Sequence, residues 1–191
     1  HKNWPDAVSV FGSARIPPTD PAYKIGVKIG AAIYEKGWSI RTGAGLALME
    51  APLKGYIEAR NRAGNPKTPF NTTQGIRIIL PFEQETSSYV EDNYEFDHFI
   101  MRKKALYNNC RGIVVLPGGF GTMDELFEVW LRQLPTVMFG RAYWQPILGA
   151  FEKAWASRGW LDKTSFWPFV TDDVDSAIEF LNWGPHRLIF K

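Results

Sequence analysis

Three glycine-bearing segments stand out, because glycine lets a backbone turn sharply and approach a ligand closely. They are Gly12-Ser13, Gly43-Ala44-Gly45 and Pro117-Gly118-Gly119-Phe120-Gly121-Thr122, each following a run that reads as a strand. A strand that ends in glycine and enters a helix leaves the first N–H groups of that helix pointing at an anion, and the helix dipole favours the negative charge. Thr122 is placed to cap such a helix and to offer its hydroxyl to a phosphate oxygen. One turn of this kind is common; three on one rim point to phosphate binding. Glu125 follows one helical turn past the last glycine, so its carboxylate can face the same cleft. With Asp124 it can equally be complementing a helix dipole, and spacing alone leaves both readings open. Arg102 and Lys103 lie on the amphipathic stretch that precedes the Ile113-Val114-Val115 strand. Arginine suits bidentate contact with phosphate or carboxylate, although either cation can simply be solvated.

Several other chemistries are excluded. The Pro117 turn lacks the Lys-Ser/Thr ending of a P-loop. Phe11-Gly12-Ser13-Ala14-Arg15 is not a dinucleotide fingerprint, and no acid stands at the expected distance, which argues against NAD and ATP. A single cysteine, Cys110, allows neither a disulfide framework nor a cysteine zinc site. His1, His98 and His186 are too far apart in sequence for a short metal motif. Cys110 reads as a small hydrophobe, and His98 stands four residues before Arg102 near a helix start. Tyr94, Phe96 and Met101 read as either base-stacking or core residues. No cofactor and no metal are expected.

The elements that must position these residues follow from periodicity. A chain of 191 residues with 45% apolar and 22% charged content is an ordinary globular chain, and residues 1–191 read as a single domain. Its 22 basic and 20 acidic residues leave +2, too little for a nucleic-acid binder. No apolar stretch approaches the ~20 residues a membrane span needs. The first ten residues lack a basic region followed by an apolar run, so the cytoplasm is the expected location.

Short apolar runs alternate with amphipathic stretches, which predicts an α/β, doubly wound, Rossmann-like parallel sheet flanked by helices. Strands are predicted at 7–11, 38–42, 75–80, 112–116 and 136–139, and helices at 23–36, 46–62, 98–109, 122–132, 144–158 and 173–182. Residues 63–74 read as a loop. Residues 81–97 form a long connection holding Glu83, Glu85, Glu91, Asp92, Glu95 and Asp97, which reads as a solvated acidic lid. Ligands of such sheets bind outside the carboxyl ends of the strands, where the glycine segments lie.

The run Pro117 to Glu125 resembles the PGGxGTxxE motif of the Lonely Guy (LOG) phosphoribohydrolases, a family long labelled lysine decarboxylases. Arg102-Lys103 sits where that family has its Arg-Lys pair, and Phe11-Gly12-Ser13 resembles its opening strand end. Thr42 to Ala51 is similar to its second glycine-rich segment, TGGGPGIMEA, with Ala44 and Ala47 in place of glycines and Leu46 in place of proline. The likeness covers about residues 7–135, with 136–191 as a helical completion. The long acidic segment and Trp-rich C-terminus are closer to the larger bacterial members, which act on ordinary nucleotides.

The resemblance implies cleavage of the N-glycosidic bond of a nucleoside 5′-monophosphate, the cytokinin riboside type included, to free base and ribose 5-phosphate. It makes Arg102 and Glu125 the catalytic pair. Gly118, Gly119, Gly121 and Thr122 would hold the phosphate, with Gly12 and Ser13 close by. Gly43, Gly45, Glu50 and Lys103 complete the nucleotide site, Glu50 on the ribose or base side. It also implies a homodimer in which helix faces of one subunit complete the pocket of the other.

Loss of a base passes through a state with positive charge at C1′, which a carboxylate such as Glu125 can stabilise. Arg102 nearby would keep that carboxylate ionised. The methyls of Ala44 and Ala47 are expected to add bulk where backbone approaches the nucleotide. A decarboxylase would need pyridoxal phosphate on a Schiff-base lysine with a partner for the ring nitrogen, and neither residue can be assigned. The rival reading is a non-catalytic nucleotide or molybdenum-cofactor carrier of the same fold.

Overall fold

The computed structural model describes residues 6–79, 85–160 and 168–187, with backbone alone for 184–187. Its elements in chain order are β1 (Ala7–Phe11), α1 (Pro21–Glu35), β2 (Ser39–Thr42), α2 (Glu50–Arg62), β3 (Thr73–Ile78), β4 (Asp92–Phe96), α3 (Phe99–Tyr107), β5 (Cys110–Val115), α4 (Phe120–Leu131), β6 (Thr136–Phe139), α5 (Arg141–Ala156), β7 (Phe169–Thr171) and α6 (Val174–Arg187). All neighbouring strands pair in parallel, in the order β4-β3-β2-β1-β5-β6-β7. The chain starts in the middle, steps outward to β4, then returns beside β1 and steps outward to β7. That reversal between β1 and β5 opens a crevice above the carboxyl ends of both strands.

Alternation along the strands divides the core in two. Val8, Val10, Ile40, Val114 and Leu116 face one way, toward α1, α2 and α6. Phe11, Ile76, Ile113, Val115 and Met138 face the other, toward α3, α4 and α5. Both layers are mainly apolar, as expected of a sheet covered on both faces. On the first face α1 starts cleanly: Asp20 accepts from the Ala22 N–H at 2.8 Å, Pro21 follows, and Gly37 at φ +72° ends the helix.

α1 and α2 approach each other backbone to backbone. A Cβ on Gly30 would lie 1.8 Å from the Pro52 carbonyl oxygen, and one on Gly55 would lie 1.8 Å from that of Val27.

The structure corrects the expected elements at several points. The connection 81–97 contains an edge strand, β4, and three of its acids are engaged rather than solvated, while Glu85 and Asp97 stay exposed, Glu85 at the cavity wall. Glu91 accepts from Arg60 at 2.8 Å, Asp92 pairs with Lys67 at 2.5 Å and Glu95 pairs with Arg77 at 3.0 Å. Burial pushes the Glu91 carboxyl up, but Arg60 and the Thr73 N–H outweigh it and hold it below the usual range. Thr73 and Gln74, read as loop, open β3, and β7 was not expected.

α2 starts at Glu50 instead of residue 46, because Ala44 and Ala47 take left-handed φ of 67° and 58°. α4 starts at Phe120 with Gly119 as its N-cap, so Thr122 lies inside the first turn and does not cap it. Leu80, Glu83 and His1 lie outside the described residues, as does the side chain of His186. Among the described residues no helix is long and apolar enough to cross a membrane.

Gly30→Ala should destabilise the protein by about 3 kcal/mol, since the obstacle is backbone that cannot rotate away. Gly149→Ala, in α5 with nothing within 4 Å of its added methyl, should instead gain about 0.5–1 kcal/mol. Urea unfolding midpoints of the two variants test the contrast.

Candidate functional site

The crevice is a cavity of about 730 Å³ walled by the ends of β1, β2 and β3 and by α3 and α4. Its glycine turn is stitched to both central strands. The Leu116 N–H donates to Phe11 O at 2.8 Å, and the Ser13 N–H donates to Pro117 O at 3.1 Å. From α5, the Tyr143 hydroxyl donates to Gly118 O at 2.7 Å. Gly118 must be glycine, because a Cβ there would sit 2.1 Å from Thr122 Oγ1. Cβ atoms on Gly119 and Gly121 would meet nothing within 4 Å, so both open onto the cavity. α4 begins with no side-chain cap, and its first turn lines the cavity; this is the arrangement that receives an anion.

Arg102 of α3 and Glu125 of α4 form an ion pair in the cavity wall. Their side chains are 13% and 15% exposed, enough for a ligand to reach both. Arg102 is held from behind, its Nε donating to Ile76 O at 3.2 Å. Gly43 makes room for it: a Cβ there would lie 2.5 Å from Arg102 Nη2. Burial raises the Glu125 carboxyl above its usual range, against the charge and hydrogen bond of Arg102, which pull it down. Arg102 therefore acts in the expected direction, but desolvation outweighs it. A carboxyl so raised holds a proton more readily than an exposed one, which suits it to proton exchange.

Other predicted residues fall in different places. Gly12, Ser13, Gly43, Gly45, Lys103 and Thr122 line the cavity. Lys103 also reaches Asp124 at 3.0 Å and Glu128 at 3.9 Å, joining α3 to α4. Glu50 is not among the lining residues; its Oε1 accepts from the Tyr23 hydroxyl at 3.0 Å.

Ala44 and Ala47 are buried at 1% and 7% exposure and their methyls do not line the cavity, whereas Leu46 does. The bulk expected from the two alanines therefore does not reach the ligand space. Tyr94 and Phe96 pack on the second core. Met101 and His98 are exposed and, with those two, absent from the cavity wall. Cys110 is half-buried and more than a small hydrophobe, since its thiol donates to Leu106 O at 3.2 Å.

Sequence reasoning gave no role to Arg15, Met49, Ile78 and Phe99, all of which line the cavity. Arg15 makes no ion pair among the described residues, so its charge is available to a ligand. Its signal was its place two residues beyond Ser13 at a strand end. No group of histidines, cysteines and acids suited to a metal occurs among the described residues.

The profile of a family described as “Possible lysine decarboxylase” matches residues 49–181, which include both members of the ion pair and the whole glycine turn. The chain belongs to this family. It is the LOG family that the PGGFGT motif resembled.

A relative from Mycobacterium marinum, a cytokinin riboside 5′-monophosphate phosphoribohydrolase, is 25% identical over 181 residues, covering 90% of this chain and 91% of its own. Among solved structures, the X-ray structure of TM1055 superposes with a TM-score of 0.70 at 20% identity, covering 93% of this chain and 98% of that one. The molybdenum cofactor carrier protein of Chlamydomonas reinhardtii does so with a TM-score of 0.65 at 23% identity, covering 98% and 99%. At these identities the two structures share the fold.

A raised carboxyl binds its proton more tightly in the folded chain than in the unfolded one. Its effect on stability is therefore least costly below the ordinary range near 4.5 and grows more costly as pH rises through the raised value. Relative to Glu125→Gln, the wild type should lose unfolding free energy as pH climbs from about 4.5 through the raised value. Chemical denaturation of both proteins across that range checks the sign; a difference that does not vary with pH contradicts it.

Proposed function

We propose that this LOG-family chain is a phosphoribohydrolase that cleaves the N-glycosidic bond of a nucleoside 5′-monophosphate. The observation that carries the reading is the Arg102–Glu125 pair standing in the same cavity wall as the uncapped start of α4. The phosphate sits on the N–H groups of Gly119 to Thr122, with Arg15 able to add a charge. β5 and β2 are two strand spacings apart, about 10 Å. That is room enough for ribose beside the ion pair and for the base toward Leu46, Met49 and Phe99. The name of the mycobacterial relative supports the same reaction.

In the reaction the C1′–N bond breaks and its electrons leave with the base, which takes up a proton. Positive charge grows at C1′ and ring oxygen, and a water oxygen closes onto C1′. Glu125 faces that charge as a carboxylate in a poorly solvated wall, where attraction is stronger than in water. It also accepts the proton the water gives up and passes it, directly or through solvent, to the departing base, so that one water supplies both the OH on C1′ and the H on the base. Arg102 fixes the carboxylate and partly offsets the burial that disfavours its charge. Phosphate binding holds C1′ in place, so binding energy at a remote group lowers the barrier.

A nucleotide or molybdenum-cofactor carrier is the second reading, prompted by the likeness to the carrier fold. The paired Arg102 and Glu125 favour the hydrolase.

The same reading makes the protein a homodimer. α3 exposes Phe99, Ile100 and Met101 at 57%, 78% and 52%, and Phe120 stands 96% exposed beside the cavity. A second copy covering this face would bury it and complete the cavity mouth.

Incubation with AMP, GMP, CMP, UMP, IMP and isopentenyl-AMP, scored for free base and ribose 5-phosphate, tests the reaction. Glu125→Gln should lower turnover by ~10³-fold or more while nucleotide binding persists, and Arg102→Ala should weaken both. Tight binding of one nucleotide with no base released from any would favour the carrier. Sedimentation velocity tests the assembly: Ile100→Asp should convert a dimer to monomers, and an unchanged dimer would place the interface elsewhere.

A further inference from the structure

Arg41 is the third residue of β2 and is fully buried, in a parallel sheet whose other inward positions are mostly apolar. It does not line the cavity. A charge so placed is costly to desolvate and calls for a reason.

Ser9, Arg41 and Gln74 are register neighbours across β1, β2 and β3 and form a buried polar row beneath α3. Arg41 Nε donates to Gln74 Oε1 at 2.9 Å, which fixes the guanidinium plane. Its Nη1 donates to Ala105 O at 2.8 Å and to Asn108 O at 3.0 Å. Between those two carbonyls, Leu106 O accepts from the Ser9 hydroxyl and from the Cys110 thiol. The last carbonyls of a helix have no partners within it and carry its negative pole. Here side chains of β1, β2 and β5 take them, and the cation lies at that pole.

Beyond these bonds, α3 is held by Arg102 on Ile76 O, by side-chain ties to α4 and by a small apolar footing of Ala105 and Tyr107 on the second core. Leu106 is its one buried residue, and Phe99, Ile100 and Met101 point outward. An amphipathic helix normally docks by an apolar stripe, and this one lacks it. Yet α3 carries Arg102, one turn before Ala105, and Arg102 must meet a carboxylate on a different helix.

We propose that Arg41 is a positioning residue that clamps the C-terminal end of α3 to the sheet and so sets the register of Arg102 against Glu125. The proposal rests on the reading of that pair as the reacting groups. A purely structural Arg41 would lower stability and leave the turnover of folded molecules unchanged. A clamp predicts a specific defect, because small displacements of a catalytic group cost much in rate.

The test compares wild type with Arg41→Lys, Arg41→Met and the milder Ser9→Ala. Each is checked for folding by circular dichroism and then examined by steady-state kinetics and by hydrogen exchange without nucleotide. Arg41→Lys keeps the charge but cannot span two carbonyls from a fixed plane. It should lower kcat about tenfold or more, with KM moving less than about threefold because the phosphate is held by α4. In all three variants α3 amides should exchange faster, about tenfold in the Arg41 variants, while α4 and β5 amides keep their protection.

If Arg41→Met does not fold, Arg41→Lys and Ser9→Ala decide the matter. Folded variants with wild-type kcat and unchanged α3 protection would overturn the clamp. If wild type releases no base from any nucleotide, the reaction reading fails, and the exchange of α3 amides alone judges the clamp.

Discussion

A carboxylate removed from most of its water and set against one guanidinium makes demands on everything around it. Glu125 and Arg102 come from two helices that cross over different parts of the sheet, so their meeting depends on how α3 and α4 lie relative to each other. A ladder of side chains ties the two helices together. Lys103 reaches Asp124, the Tyr107 hydroxyl donates to Glu128 at 3.2 Å, and Arg132 pairs with Glu128 while lying 5.0 Å from the Tyr107 ring centre. These are partly exposed pairs, worth about 0–1 kcal/mol each, so they set alignment more than stability. Buried contacts do the heavier holding, namely the Ile76 carbonyl behind Arg102 and the row of Ser9, Arg41 and Gln74 beneath α3.

The glycine segments serve the same pair from the other side by giving clearance. Gly43 leaves space for the guanidinium, Gly118 lets Thr122 fold back over the turn, and Gly45 accommodates Met49, whose Cε would lie 2.3 Å from an added Cβ. Where the chain carries alanine instead, at 44 and 47, the backbone still adopts the left-handed region. That costs an L-residue roughly 1–2 kcal/mol and persists because the surroundings fix it. Ala44 O accepts from Ser87 N–H at 2.9 Å, and Ala47 O accepts from Ala51 N–H at 2.9 Å. Both methyls turn into the protein, so the cavity keeps its glycine floor despite the two substitutions.

How much of this was legible in the sequence depended on whether the signal was local. The glycine turn, the strand before it and Glu125 lie within a dozen residues, and the family motif brought Arg102 to them. β4 was missed because its sequence, Asp-Asn-Tyr-Glu-Phe, is an edge strand with polar outward positions inside an acidic stretch. β7, with three residues, is too short to show a period. The Glu125 balance was read with only one of its two main causes, since a neighbouring cation can be named from a motif but the extent of desolvation depends on packing far away in sequence. Arg41 was hidden for a similar reason. A strand reading Ser-Ile-Arg-Thr says nothing about which carbonyls its guanidinium will find more than sixty residues later.

The fold is common to chains named as hydrolases and chains named as cofactor carriers, so architecture cannot choose between them. The charge inside the cavity bears on the choice. A carrier of a phosphorylated ligand needs donors and cations, and a buried carboxylate beside them repels that ligand and is itself costly to desolvate. The same carboxylate is useful when positive charge appears on the ligand during the reaction and is absent before it, because it then stabilises the transition state and not the bound ground state. Glu125 is held in that costly position by a dedicated arginine, on a helix whose other end of the arrangement is anchored by a second, fully buried arginine. Binding alone would not call for a carboxylate at 125, and the cost of burying it is the physical argument behind the hydrolase we propose.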